Sequence, residues 1–181
     1  PNIRYSVDKF TFNIGSQIST LDNLNNQTDR LVPDASSLSV GPYVIVDFED
    51  DNFGFNYGMR YDYKRLESND EIFNINFDNE FSNTSFSAGM FYKYLENTLR
   101  LTYSGAYRAP HFSELFSDGV HHGTNRYEIG NINLDIEQAN QIDLKYQWAN
   151  EHFGIVLNPF FQDISNFISI TPSDSFQNNY R

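Results

Sequence analysis

The 181 residues predict an all-β chain threaded as an antiparallel up-and-down meander, and three observations lead there. Apolar and polar residues alternate with a period of two through most of the chain, the pattern of strands that have one face in an apolar medium. Aromatic residues reach 17% while the mean hydropathy is only −0.55. A membrane β-barrel has this profile, because half of its strand residues face a wet lumen and its loops are polar. No run approaches the roughly 18 consecutive apolar residues that a spanning helix needs. On the pattern alone a soluble β-sandwich is the alternative.

Taken in order, Phe10, Phe12, Ile14 and Ile18 alternate with Lys9, Thr11, Asn13 and Gln17 and predict a first strand. From Leu21 to Ser37 the composition is that of a long loop, rich in Asn, Asp, Thr and Ser. Leu38, Val40, Pro42, Val44, Val46 and Phe48 mark the next strand, and a short turn at 49–52 leads to the clearest one. There Phe53, Phe55, Tyr57, Met59, Tyr61 and Tyr63 form an unbroken stripe against Gly54, Asn56, Gly58, Arg60, Asp62 and Lys64. Such a stripe exceeds the roughly five to six residues of an average strand and suits the ~9–11 of a tilted strand crossing a bilayer. Phe53, Phe55, Tyr57, Met59 and Tyr61 are therefore expected to face lipid, with Arg60, Asp62 and Arg108 facing the lumen. The weaker run Phe73, Ile75, Phe77, Phe81 reads as an overhanging extension of the next strand or part of an extracellular excursion. Phe86, Ala88, Met90, Tyr92 and Tyr94 then alternate strongly, and a tight turn at 95–97 leads to Leu99, Leu101, Tyr103, Gly105 and Tyr107. That strand stops at Ala109-Pro110, since proline has no N–H for a ladder and restricts the residue before it. A polar loop extends to about residue 136, followed by Ile142, Leu144, Tyr146 and Trp148, a turn at 149–152, and a last strand through Phe153, Ile155, Leu157, Pro159 and Phe161.

Connection lengths set the topology. Short turns at 49–52, 95–97 and 149–152 and long loops at 19–37 and 109–136 belong on opposite rims, the periplasmic and extracellular ends of an outer-membrane barrel. About seven spanning strands result, beginning near Phe10, Leu38, Phe53, Phe86, Leu99, Gln141 and Phe153. An open seven-stranded sheet in lipid would leave edge N–H and C=O groups unpaired, at several kcal/mol each. The expectation is a partial segment of a large transmembrane β-barrel, one domain over residues 1–181, whose remaining strands lie outside it.

The stretch from Tyr107 to Glu137 carries a family resemblance. Tyr107-Arg108-Ala109-Pro110, then Glu114-Leu115-Phe116, Tyr127-Glu128-Ile129-Gly130-Asn131, Leu134 and Glu137 resemble the barrel region of TonB-dependent outer-membrane receptors in a Bacteroidetes-like form. Gly58 to Asp62 matches a second landmark, while Ile132 and Asp135-Ile136 depart from the prolines usual there. The resemblance implies a location in the bacterial outer membrane, contact with its lipid, and no enzymatic activity. It also implies a receptor that captures a scarce nutrient, most often a ferric siderophore and in some members haem, and imports it. Energy would come from the TonB complex acting through a plug domain that residues 1–181 do not include.

Composition narrows the alternatives. A formal charge of −12 with only 12 Lys and Arg argues against nucleic acid as a partner. The absence of cysteine removes disulfide scaffolds and thiolate metal sites. No nucleophile elbow, zinc-protease helix, P-loop or dinucleotide fingerprint is present, so a hydrolase on a β-scaffold lacks its convergent residues and no cofactor is expected. The carboxylates Asp47, Glu49, Asp50 and Asp51 read as a solvated turn.

His111, His121 and His122, with Arg126 and Tyr127, lie in the loop between the two family boxes and are the candidate ligand-binding residues. Receptors of this family that take up haem use a loop histidine in such a place as an axial ligand, so His121 or His122 would touch iron only if haem is the cargo. For an anionic ferric siderophore, Arg126 and Tyr127 would matter more. Arg108 is expected to pair with Glu114 or Glu128 and hold the loop compact.

Overall fold

A computed structural model describes residues 1–25, 30–121, 123–124 and 126–173. The strands β1 (Asn2–Val7), β2 (Phe10–Asn23), β3 (Ala35–Glu49), β4 (Phe53–Asp70), β5 (Ile75–Tyr94) and β6 (Asn97–Arg108) follow one another as an antiparallel meander. A five-residue helix α1 (Phe112–Phe116) and a hairpin of β7 (Asp118–His121) and β8 (Arg126–Ile129) come next. β9 (Glu137–Ala149) then returns to the sheet beside β6, and β10 (Gly154–Leu157) and β11 (Phe160–Ser165) both pair with β9. The last two are halves of one strand: Leu157 faces Tyr146 and Phe160 faces Asp143, an unbroken register. Pro159 interrupts the ladder because it has no N–H, although its carbonyl still accepts from Leu144 at 3.0 Å.

The described meander therefore has eight strands, one more than expected. β1 is the addition, pairing Ile3, Tyr5 and Val7 with Ile14, Phe12 and Phe10 of β2. Its three alternating apolar residues are too few to stand out from the sequence. Three further bounds differ. β2 and β3 continue their pairing to Asn23 and Ala35, which shortens the first long loop to 24–34. The run at Ile75–Phe81 is the overhanging end of β5, joined to β4 by a tight turn at 71–74. The second long loop holds α1 and the β7–β8 hairpin.

Register fixes the two faces. Phe10, Phe48, Phe55, Met90, Leu101 and Leu144 form one row across β2, β3, β4, β5, β6 and β9. Phe10 and Phe48 lie 4.8 Å apart, and Phe48 and Phe55 stack at 5.1 Å. Phe53, Phe55, Tyr57, Met59 and Tyr61 all lie on this apolar outer face, 41–47% exposed in the chain by itself. Asn13, Ile45, Gly58, Ser87, Ser104 and Gln141 make a row on the opposite, mainly polar inner face. By the same alternation Arg60, Asp62 and Arg108 point inward, and Arg60 Nε donates to Asp62 at 2.7 Å.

Past Tyr63 the pattern changes sides. Leu66 on β4 and Phe77 and Phe81 on β5 are apolar on the inner face, while Arg65, Glu67 and Asp78 occupy the outer one, with Arg65 bonded to both carboxylates at 2.7 Å. The two strands have left the apolar medium and now bury their inner side. There Ala35, Leu66, Phe81, Phe112, Leu115 and Phe116 form the buried core, with Val32, Ile75, Phe77, Ala109, Leu134 and Ile136 packed around it.

Candidate functional site

The loop from 109 to 136 folds over this inner wall and is held at both ends. At its start Pro110 is buried, and its carbonyl accepts from Lys64 Nζ at 3.2 Å. His111 is the N-cap of α1. Ser113 donates its backbone N–H to His111 Nδ1 at 3.4 Å, and Glu114 Oε2 accepts the His111 N–H at 2.7 Å, a reciprocal capping box. The capping box, with the burial of Phe112, Leu115 and Phe116, holds a five-residue helix that its length alone would not. Phe112, Leu115 and Phe116 turn inward to the core, Phe116 meeting Phe77 edge-on at 4.9 Å.

Arg108 ties this helix to the barrel wall. Its Nη1 donates to both oxygens of Glu114 at 2.9 Å, and its Nε donates to Glu137 at 3.4 Å. Glu114 is the expected partner, Glu137 takes the place proposed for Glu128, and all three side chains lie at the inner rim. At the far end of the loop, Gly130 N–H donates to the Ser117 carbonyl at 2.6 Å and Asn131 N–H to the Glu114 carbonyl at 2.9 Å. These two bonds satisfy carbonyls that the end of a helix leaves free. Leu134 packs on the core. Arg108, Ala109, Pro110, Glu114, Leu115, Gly130, Asn131, Leu134 and Glu137 of the motif thus belong to the rim or to the scaffold that orders the loop.

The candidate ligand residues divide. On the hairpin, His121 is paired with Arg126 and Gly119 with Glu128, so His121, Arg126, Gly119 and Glu128 share one face. Tyr127 lies on the other face, where its hydroxyl donates to Asp118 at 2.8 Å. That hydrogen bond, with burial and the carboxylate charge adding to it, holds the phenol above its ordinary range, so it stays protonated at neutral pH. His121 Nδ1 lies 3.1 Å from Thr124 Oγ1. His111 is separated from these residues by its capping role, and His122 lies outside the described residues. Among the described residues no group of three His, Asp or Glu side chains is placed to hold a metal ion.

A second loop supports the hairpin in a way the sequence did not suggest. Asp118 N–H donates to the Leu31 carbonyl at 3.0 Å, joining β7 to the 24–34 loop. That loop is anchored by the buried carboxylate of Asp70, which accepts from Asp34 N–H at 3.0 Å, Arg30 Nη1 at 3.2 Å and Ile72 N–H at 2.9 Å. The Asp34 amide first, then the amides of Ile72 and Phe73 and the charge of Arg30, hold the Asp70 carboxyl below the usual carboxylate range against its burial. Its signal was an Asp at the end of a strand followed by a turn, a common turn-capping position.

A depressed folded-state pKa contributes stability that is present above the unfolded value of 3.8 and is lost as pH falls through the lowered one. Lowering pH below the ordinary carboxylate value and through the depressed one is therefore expected to raise hydrogen exchange at Asp34 and Ile72, corrected for intrinsic rates. In Asp70→Asn the same amides should exchange faster already at neutral pH, with that pH step gone.

Comparison with known proteins places this architecture. The sequence profile of the family described as "TonB dependent receptor-like, beta-barrel" matches residues 3–181. Among solved structures, the copper transporter OprC superposes with a TM-score of 0.74 at 16% identity, over 92% of this chain and 29% of that one. A double mutant of the Serratia marcescens hemophore receptor HasR, in complex with its hemophore HasA and heme, gives 0.71 at 16% identity, over 90% of this chain and 31% of that one. The FrpB iron transporter from Neisseria meningitidis gives 0.66 at 14% identity, over 90% and 27% respectively. The chain thus spans less than a third of the length of each of these structures.

Proposed function

The chain belongs to the TonB-dependent receptor β-barrel family, whose members lie in the bacterial outer membrane and are transporters rather than enzymes, and from that premise we propose that it is one wall of a receptor importing a scarce metal-containing nutrient, with a ferric siderophore as the first reading. In this reading the TonB complex drives import through a plug, and plug and remaining strands lie outside these residues. The observation that carries it is the ordered loop on the inner side of the long-loop rim, presenting His121 and Arg126 on one face of a hairpin. A guanidinium so placed suits an anionic chelate. In this reading Arg126 makes the charged contact, while Tyr127 lies on the other face, bonded to Asp118.

Haem is the second reading, favoured by the same pairing of His121 with Arg126. In the tautomer whose Nδ1–H donates to Thr124 Oγ1, 3.1 Å away, His121 Nε2 keeps the lone pair an iron centre needs, and Arg126 can pair with a propionate. The solved relatives named as copper, heme and iron proteins support metal cargo as a class without choosing within it.

Growth of cells carrying the complete receptor, with haem or a ferric siderophore as the sole iron source, separates these readings. Loss on haem alone in His121→Ala/His122→Ala supports ligation, and loss on siderophore in Arg126→Gln supports chelate capture. No loss in either variant on any iron source counts against both. His111→Ala is expected to weaken growth on every source alike, because losing an N-cap costs about 0.5–2 kcal/mol of loop order and touches no ligand.

A further inference from the structure

Above the lipid band β5 and β6 part. They pair from Tyr94–Asn97 to Phe86–Gly105 and no further, although β6 runs on to Arg108 and β5 begins at Ile75. Residues 75–85 therefore bond to β4 alone: that ladder holds from Ser85–Arg60 to Ile75–Asp70, and no other main-chain bond reaches them among the described residues. In an antiparallel ladder alternate residues turn both N–H and C=O to the same neighbour, so every second residue here presents an unpaired donor and acceptor. The other flank of the hairpin is covered. β3 pairs with β4 as far as Ser36–Glu67, and beyond it the 24–34 loop takes over, Ser68 Oγ donating to the Asp34 carbonyl at 2.8 Å.

Long free edges are normally blunted by proline, lysine or a bulge. Residues 75–85 include neither proline nor lysine, and their register against β4 runs without a bulge. Beside the edge lies a groove of about 530 Å³ whose far side is residues 132–136. Its floor is apolar, made by Phe81 of the rim core and by Leu134 and Ile136, which pack on that core. Its rim is acidic: Glu80 and Asp135 are exposed, and among the described residues neither is in an ion pair. No lysine or arginine lines the groove.

We infer that the free edge of β5 is a docking site for a partner protein, which adds an extended basic segment of its chain as a further strand. A main chain in extended form offers donors and acceptors at the spacing of the edge. Its side chains alternate between the two faces, so those on the Phe77 and Phe81 side meet the apolar floor and those on the Glu80 side meet carboxylates. The matching pattern is apolar and cationic residues in strict alternation. β4 already holds β5 extended, so docking orders only the incoming segment. An added strand continues the wall instead of entering the lumen, which makes its owner a partner at the long-loop rim and not an imported cargo.

A fluorescein-labelled peptide of alternating valine and lysine, added to the complete receptor in detergent, tests the site by fluorescence anisotropy. Methylating the backbone nitrogens of all its valines, or of all its lysines, removes the donors of one strand edge at a time. One methylated peptide is expected to bind about tenfold more weakly and the other like the parent, because only one edge of the added strand faces β5. Glu80→Gln/Asp135→Asn keeps the side-chain shapes and removes the charges, and is expected to weaken the parent peptide about tenfold. Hydrogen exchange at alternate amides of residues 75–85 should slow when the peptide is bound. Equal loss with both methylated peptides, unchanged affinity in the double variant, or no protection within 75–85 overturns the proposal. So does labelled peptide appearing in the periplasm of cells that carry the receptor, which would make the groove an entry for peptide cargo.

Discussion

Leu115→Ala in the complete receptor is expected to remove about 2–5 kcal/mol of loop docking, the usual cost of truncating a fully buried leucine. Leu115 is 2% exposed and joins the helix to Leu66 and Phe81 of the wall. Those contacts hold the loop rather than the barrel, because β4 and β5 pair along their whole length from Phe53–Tyr92 to Asp70–Ile75 without it. The effect should therefore be local. Hydrogen exchange is expected to rise at Gly130 and Asn131, whose amides bond to the Ser117 and Glu114 carbonyls, and to stay unchanged at Phe55 and Met90 in the outer apolar band. Leu115→Met, which nearly conserves volume, should cost less than about 1.5 kcal/mol and leave the pattern intact. Unchanged exchange in Leu115→Ala would mean that the cluster does not hold the loop.

The long stripe from Phe53 to Tyr63 was legible because lipid and lumen are such different solvents that each residue's side is set by its polarity. The eight-strand count was not, since β1 contributes only Ile3, Tyr5 and Val7 to the pattern. The rim core was present in the sequence as a change of phase. Phe77 and Phe81 fall on odd positions, whereas Ala88, Met90 and Tyr92 of the same strand fall on even ones. Read as weak alternation, that shift hides the place where β5 leaves lipid and its inner face is covered by α1.

Inside the loop, neither α1 nor the β7–β8 hairpin is long enough to show a period: five residues and two strands of four. Both are fixed by contacts distant in sequence, such as Asp118 N–H to Leu31 and the Phe77–Phe116 ring contact. That Tyr127 and His121 lie on opposite faces was not legible for the same reason, because it is set by a hairpin register that the sequence did not reveal. The pairing of Arg108 with Glu114 was accessible because the two sit close in sequence at a strand end.

Gly130→Ala is expected to be the most damaging single change in the loop. A Cβ at this position would lie 2.5 Å from the carbonyl carbon of Leu115, 2.6 Å from its oxygen and 2.6 Å from the amide nitrogen of Phe116. All three are backbone atoms, so no rotamer change can make room, and the 130–131 segment must move away from α1. That movement breaks the Gly130 N–H bond to Ser117 at 2.6 Å and the Asn131 N–H bond to Glu114 at 2.9 Å. Each loss costs about 0.5–1.5 kcal/mol if water takes over, and about 1–3 if the group stays buried and unpaired. Asn131→Ala keeps both amides and removes only the acceptor for Asn133 N–H at 3.0 Å, so it should be much milder. Protease cleavage between Ser117 and Ile136 in vesicles carrying the complete receptor is expected to be fast in Gly130→Ala, near wild type in Asn131→Ala, and accompanied by loss of nutrient uptake only in the first. Equal protection in both variants would show that the glycine is not what lets the far end of the loop close onto the helix.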